Sequence, residues 1–212
     1  MKNDKILVLF DFCETITNFQ TLENFLPIVA HKNPYFNQDI NSTRRLKYQK
    51  LNIAYPKYEA LIDCPIELIH EISKEFVFEK IIKNLNRNIM DKLFWHQDLG
   101  HEIAIVSGGL SIYIEDFAKI YEIDNVIAVD LEVSSGKLTG NIDGIHTMQE
   151  RKLYKLSQMF DLKRYDLQKS YAYSDCVSDI PILSLVGNAN VVECGKDLEW
   201  AKILGYEIIK KR

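Results

Sequence analysis

The sequence predicts an α/β protein whose parallel sheet is interrupted once by a block of helices. Three observations carry that prediction. The first is the stretch Ile6 to Thr17, ILVLFDFCETIT. Its apolar run, Ile6 to Phe10, shows no alternation, which suits a strand buried on both faces. The run ends on Asp11, and open α/β sheets keep their ligand sites at the carboxyl ends of such strands. The second is the alternation of strand-like and helix-like segments after residue 100, the pattern of βαβ units. The third is a span of roughly seventy residues between these regions, with helical spacing and no strand signal.

Composition fits this class. The 212 residues are 47% hydrophobic and 26% charged, an ordinary globular mixture. That length suits one domain with a full core, or a core domain with a small insert. A net charge of −4 argues against nucleic-acid and anionic-membrane partners, which need a basic footprint. The local cluster Arg44, Arg45, Lys47 and Lys50 reads as a solvated helix face. Charge breaks every apolar run well short of about 18 residues, so no membrane span is expected. The run before Asp11 is too short for an export signal. Cys13, Cys64, Cys176 and Cys194 show no CxxC pair or zinc spacing and read as reduced thiols of a cytoplasmic protein. The five histidines form no cluster in sequence and read as surface or interface residues.

Taken in order, Thr21 to Ala30 has helical spacing at Leu22, Phe25, Leu26 and Val29, and Asn33-Pro34 breaks it. Thr43 to Ala54 reads as a second helix with a basic face. Pro65 opens a long helical pattern to Leu85, and Ile89 to Leu99 continues it as far as Gly100. Strands are then predicted at Glu102–Val106, Val126–Val133, Ser170–Tyr173, Asn190–Glu193 and Tyr206–Ile209. Between them lie a helix over Leu110–Tyr121, a glycine-bearing hairpin or flap over 137–144, and a helix from Thr147, whose spacing to Glu150 matches a capping box. Further helices are predicted from about Ile180 and over Leu198–Leu204.

Four loops then converge at one sheet edge. They offer Asp11; Ser107, Gly108 and Gly109; Lys152 at a helix start; and Asp175 with Asp179. Asp11 alone would also serve as a turn cap, and Asp179 as a cap for the helix at Pro181. Together the four segments match what a phosphate monoester requires. A carboxylate can attack phosphorus, a magnesium ion held by carboxylate oxygens neutralises charge, a hydroxyl and backbone N–H groups cradle the phosphate, and a lysine adds a point charge.

These segments resemble the haloacid dehalogenase-like (HAD) hydrolase superfamily, in the phosphoserine phosphatase-like branch (subfamily IB). DFCETIT resembles the family's DxDxT loop, VSGG (Val106–Gly109) its second motif, MQERKLYKL its third with Lys152, and SDCVSDIPIL (Ser174–Leu183) its fourth. LEVSSGKLTGNIDG, Leu131 to Gly144, resembles the flap of phosphoserine phosphatases. The resemblance implies a Rossmann-like core over 1–17 and 100–212 with a helical cap of the C1 type over 18–99. It implies Asp11 as nucleophile and Mg²⁺ ligand, Cys13 lending its backbone carbonyl to the metal, Ser107 and Lys152 holding the phosphoryl group, and Asp175 and Asp179 as metal partners. The substrate implied is a small phosphorylated molecule. Arg44, Arg45, His31, Tyr48, Tyr55 and Tyr58 are the insert's candidates to face it.

The chain departs from the family at Cys13, where its phosphatases carry a second Asp that protonates the leaving oxygen and later activates water. A thiol is a weak hydrogen-bond donor and a poor base at neutral pH. Three readings stay open at this level: a slow or specialised phosphatase with Glu14 or the substrate supplying the acid, a hydrolase acting on a good leaving group, or a binder of phosphometabolites. The first is favoured because Asp11, Lys152 and Asp175 are all kept.

Overall fold

The computed structural model describes residues 5–210; the outermost ends of the predicted core, 1–4 and 211–212, lie outside them. Strand β1 (Leu7–Phe10) is buried along its whole length, as an unalternating apolar run should be. Its neighbours are β2 (Glu102–Leu110) and β5 (Tyr171–Ser174), both parallel to it. With β3 (Asn125–Ser134), β4 (Lys137–Asp143), β6 (Asn188–Val192) and β7 (Glu207–Ile209) they form one sheet in the order β4-β3-β2-β1-β5-β6-β7. Only β4 runs antiparallel, closing the predicted hairpin onto β3.

Successive residues of β1 point to opposite faces. Val8 and Phe10 join a core with Phe25, Phe76, Leu93, Tyr113 and Phe117. Leu7 and Leu9 join a second core with Leu156, Ile182, Leu183 and Ala201. The first core is built on helices α1 (Thr21–Lys32), α3 (Ile66–Phe76), α4 (Arg87–Asp98) and α5 (Ser111–Ile120). The second is built on α6 (Glu150–Met159), α7 (Ile180–Leu183) and α8 (Glu199–Ile203). Helix α2 (Gln38–Lys50) lies in the insert and is capped by Asn37, whose side chain accepts from Asp39 N and Ile40 N. The chain thus changes both sheet direction and sheet face between β3 and β5. This makes the crevice between β1 and β5 the topological switch point, where such sheets bind ligands.

The helical block between β1 and β2 is continuous with the core rather than apart from it. Helix α4 packs on the sheet, its Leu93 and His96 fully buried beside β1 and β5. The hairpin is also tied to the insert through backbone bonds: Tyr58 N to Gly140 O (2.8 Å), Asp63 N to Leu138 O (2.9 Å) and Ile66 N to Gly136 O (3.0 Å). Gly140 has φ +83°, and a Cβ there would stand 2.9 Å from Tyr58 O, so close backbone approach needs glycine. The capping box expected at Thr147 does not form. Helix α6 starts at Glu150, and Thr147 instead donates its hydroxyl to Ala128 O at 2.6 Å, spending the side chain on the sheet. No helix among the described residues is long and apolar enough to cross a membrane, and none of the four cysteines is disulfide-bonded.

Two histidines do meet, contrary to the sequence reading. His96 Nδ1 lies 2.8 Å from His101 Nδ1, and His96 Nε2 lies 2.9 Å from the Tyr173 hydroxyl. Burial, with His101 and Lys92 nearby, pushes His96 down to about 3. Its folded value is below the unfolded one, so the unfolded chain binds the proton first as pH falls, and stability declines from about pH 6.5 downward. Between pH 7.5 and 5.0 this site is expected to cost roughly 1–2 kcal/mol. Urea denaturation of wild type and His96→Gln at both pH values checks it. The variant should start weaker yet lose less on acidification; equal losses would remove His96 as the cause.

Candidate active site

Asp11 continues β1 by one residue, its N–H donating to Tyr173 O at 2.9 Å. That bond continues the β1–β5 register, in which Phe10 pairs with Tyr173, and brings Asp11 to the strand end that Asp175 follows across the switch point. The chain then turns sharply over Phe12–Ile16. Cys13 is extended, and Glu14 sits in the left-handed region at φ +58°. A non-glycine residue held there is uncommon and concentrates at functional loops. Thr17 N closes the turn on Phe12 O at 3.0 Å.

Lys152, one turn into α6, reaches this loop from the other face of the sheet. Its Nζ lies 2.7 Å from Asp11 Oδ1 and 2.7 Å from Asp179 Oδ2. Ser174 Oγ donates to the same Asp179 oxygen at 2.7 Å, and Thr15 Oγ1 donates to Asp175 Oδ1 at 3.2 Å. Asp11, Lys152, Asp175 and Asp179 are all buried. Burial pushes Asp11 up to about 7; Lys152 opposes the rise, while Asp179 and Asp175 add to it. Burial draws Lys152 down, but the charges of Asp11 and Asp179 outweigh it and hold the ammonium above its ordinary value. Asp179 makes no helix cap for α7; its side chain is committed to Lys152 and Ser174.

The second motif sits beside this cluster. Ser107 is buried, and its hydroxyl accepts from Gly109 N at 3.1 Å. A Cβ on Gly109 would fall 2.8 Å from the Tyr113 hydroxyl. That hydroxyl accepts from Leu110 N and from Thr21 Oγ1, both at 3.0 Å, so the glycine is needed for the loop to close on α5. Cys13 completes the chain, its Sγ 2.9 Å from Thr21 Oγ1.

A cavity of about 300 Å³ opens over these groups. Asp11, Cys13, Ser107, Gly108, Gly109, Lys152, Asp175 and Asp179 all line it. Arg44 and Arg45, expected to face the substrate, do not. Arg44 pairs with Asp63 at 2.7 Å and Arg45 with Glu59 at 2.8 Å, and each borders a different hollow of the insert. Their charge is spent inside the insert. His31 is exposed on the last turn of α1, Tyr48 packs edge-on against Tyr55, and Tyr58 is buried; none lines the cavity. From the insert the lining side chains are Gln20, Leu22 and Lys57; from the turn before α6, His146 and Met148.

Lys196 also lines the cavity, although it belongs to none of the four motifs. Its Nζ lies 2.6 Å from both Asp175 Oδ2 and Glu14 Oε2. Gln20 Nε2 donates to the same Glu14 oxygen. The available signal is position: Cys194-Gly195-Lys196 lies just past β6, at the same carboxyl edge as Asp11. Glu14 therefore holds Lys196 and Gln20 rather than standing over Asp11 as an acid.

The donor set suits a magnesium ion. Asp11, Asp175 and Asp179 bring three buried carboxylates together, and Lys152 is the one fully buried ammonium among them. Asp179 Oδ1 is buried with no hydrogen-bond partner among the described residues. Hard oxygen ligands and uncompensated negative charge are what Mg²⁺ selects. A lysine nitrogen already lies against two of the carboxylates near this edge, so a cation there is electrostatically favoured.

Known proteins share this fold. Residues 8–184 match the family model of the haloacid dehalogenase-like hydrolases. The chain is 31% identical over 148 residues to a histidinol-phosphatase of Neisseria meningitidis, covering 68% of this chain and 67% of that one. It is 25% identical over 205 residues to the phosphoserine phosphatase of Methanocaldococcus jannaschii, covering 93% and 90%. Among solved structures, a Bordetella pertussis protein of unknown function superposes with a TM-score of 0.78 at 22% identity, over 97% of this chain and 98% of that one. A substrate-bound phosphoserine phosphatase gives 0.67 at 21% identity, over 100% and 95%. The chain belongs to the haloacid dehalogenase-like hydrolases, in the branch that resembles phosphoserine phosphatase, and its likeness to phosphatases within that family makes it a phosphoric monoester hydrolase.

Proposed function

We propose that the protein is a Mg²⁺-dependent phosphatase that hydrolyses a small-molecule phosphate monoester through a phospho-aspartate on Asp11. The observation that carries this reading is the buried set at the switch point: Asp11, Asp175 and Asp179 around Lys152, with Lys152 Nζ 2.7 Å from Asp11. Asp11, Asp175 and the Cys13 carbonyl would hold the metal, with Asp179 behind them; when bound it neutralises charge on the phosphoryl oxygens. Asp11 attacks phosphorus. Ser107 and the N–H groups of Gly108 and Gly109 orient the equatorial oxygens, and Lys152 stabilises the charge that builds there. The helical insert acts as a cap that excludes water, bringing Gln20, Leu22 and Lys57 to the substrate. The relatives' names point to amino-acid-derived phosphate esters as the first substrates to try.

A panel containing phosphoserine, histidinol phosphate and sugar phosphates, assayed for phosphate release with Mg²⁺ and with EDTA, tests the proposal. Release is expected with at least one ester, abolished by EDTA and restored by Mg²⁺. No release from any ester, with Mg²⁺ still raising the melting temperature, would favour a binding protein. The thiol of Cys13 is the feature that motivates that second reading.

A further inference from the structure

Breaking an alkyl phosphate ester needs a proton for the departing oxygen, and opening a phospho-aspartate needs a base for water. Cys13 suits neither task. Its thiol is tied to Thr21 Oγ1, and a thiol is a weak hydrogen-bond donor and a poor base at neutral pH. The carboxylates lining the cavity are committed. Asp179 is held by Lys152 and Ser174, and Asp175 by Lys196 and Thr15. Both ammoniums, Lys152 and Lys196, are in turn held by these carboxylates. Asp11 is the nucleophile. One lining side chain remains whose ordinary pKa lies between pH 5 and 8, and that is His146.

We propose that His146 is the proton-transfer group of the reaction, in the place that Cys13 leaves open. As Asp11 bonds to phosphorus and the bond from phosphorus to the substrate oxygen breaks, the imidazolium gives its proton to that oxygen, and the alcohol departs. Neutral imidazole then takes a proton from water as the water oxygen bonds to phosphorus and the bond to Asp11 breaks. Phosphate leaves, Asp11 is a carboxylate again, and His146 is again protonated. The inference rests on the reading of Asp11 as the nucleophile of a phosphatase.

Geometry fixes His146 at the site. It lies three residues past the end of β4, and the next residue is anchored by Thr147 Oγ1 to Ala128 O at 2.6 Å. Met148 N bonds back to His146 O at 3.0 Å. A Cβ on Gly108 would stand 3.3 Å from Thr147 O and collide with Met148, so the turn lies against the phosphate-binding loop itself. The charged groups facing His146 are Lys57 from the insert and Arg151 and Lys155 from α6. Across the cavity are the Asp11–Lys152–Asp179 cluster and the Lys196–Asp175 pair. Burial, with the three near cations, lowers His146 from its ordinary value, which favours the neutral form that water activation needs.

The test compares two esters in Mg²⁺: glycerol phosphate, whose alkoxide must be protonated, and p-nitrophenyl phosphate, whose leaving group needs no proton. His146→Gln should lower kcat/KM on glycerol phosphate by roughly 10²-fold and on p-nitrophenyl phosphate by under about tenfold. It should also abolish the fall of kcat/KM with rising pH that wild type shows on the alkyl ester. Cys13→Asp added to His146→Gln should restore alkyl-ester turnover. Lys57→Met should move the wild-type limb to higher pH, because a repelling cation is gone. A His146→Gln enzyme with raised KM, unchanged kcat and an unchanged pH profile would overturn the proposal and make His146 an anion-binding residue. So would equal losses on both esters without rescue by Cys13→Asp. If wild type releases no phosphate from either ester or from any ester of the panel above, it is the phosphatase reading that fails.

Discussion

Asp11→Asn should lower phosphate release by roughly 10⁴-fold or more, because an amide oxygen is not a competent nucleophile toward phosphorus. Acid-quenched wild type should carry a hydroxylamine-sensitive phosphate on the peptide containing Asp11, and the variant none. The fold should survive. In the folded chain burial pushes Asp11 up to about 7 from an ordinary 3.8. A carboxyl raised on folding contributes its stability below the unfolded value and loses it as pH rises through the folded one. Without Mg²⁺ at pH 8, wild type therefore holds a carboxylate at a cost that asparagine does not carry. Asp11→Asn is expected to melt at or above wild type in EDTA at pH 8, with the gap narrowing toward pH 6. A variant that keeps turnover within threefold would remove Asp11 from the chemistry.

The parts of the site that could be read from sequence share one property: each is fixed by the sheet. Asp11 and Asp175 directly follow β1 and β5, Ser107 lies toward the carboxyl end of β2, and Lys152 lies in the first turn of a helix that must return to the same edge. Their convergence follows from parallel topology alone. Elements were readable for the same reason, with boundaries shifted where a polar side chain found a better partner, as Thr147 did on Ala128. The substrate side was not readable. Arg44 and Arg45 carry a charge that would suit a phosphate, but Asp63 and Glu59, 19 and 14 residues away in sequence, claim them. Lys57 and His146 reach the cavity because Tyr58 and Gly140 join the insert to the hairpin, a long-range contact without a local pattern. Lys196 depends on a tight loop after β6, where Gly195 takes φ +86°. Cys13 was visible as an anomaly, yet its bond to Thr21 and the Tyr113 hydroxyl behind it needed the packed insert.

Lys152→Met should damage stability and activity together, and the two losses should respond differently to magnesium. The ammonium is buried between Asp11 and Asp179 at 2.7 Å from each, with Asp175 nearby. Removing one partner of a buried ion pair typically costs about 3–5 kcal/mol, because the remaining charge stays buried and uncompensated. Methionine has a similar length and fills the space, so the loss reports charge rather than a cavity. Thermal or urea unfolding in EDTA at pH 8 should show a deficit of that order. It should shrink at pH 6, where the raised carboxyl of Asp11 takes up a proton and the repulsion falls. Saturating Mg²⁺ should recover part of the stability by binding the same carboxylates in the folded state alone. Turnover should not recover, since losing one preorganised donor to the phosphoryl oxygens costs about 10²–10³-fold in kcat whether or not the fold is intact. A variant as stable as wild type at pH 8 would mean that Lys196, 2.6 Å from Asp175, carries the compensation assigned to Lys152. Full recovery of turnover by Mg²⁺ would make Lys152 a structural counter-ion and leave phosphoryl stabilisation to the metal and to the N–H groups after Ser107.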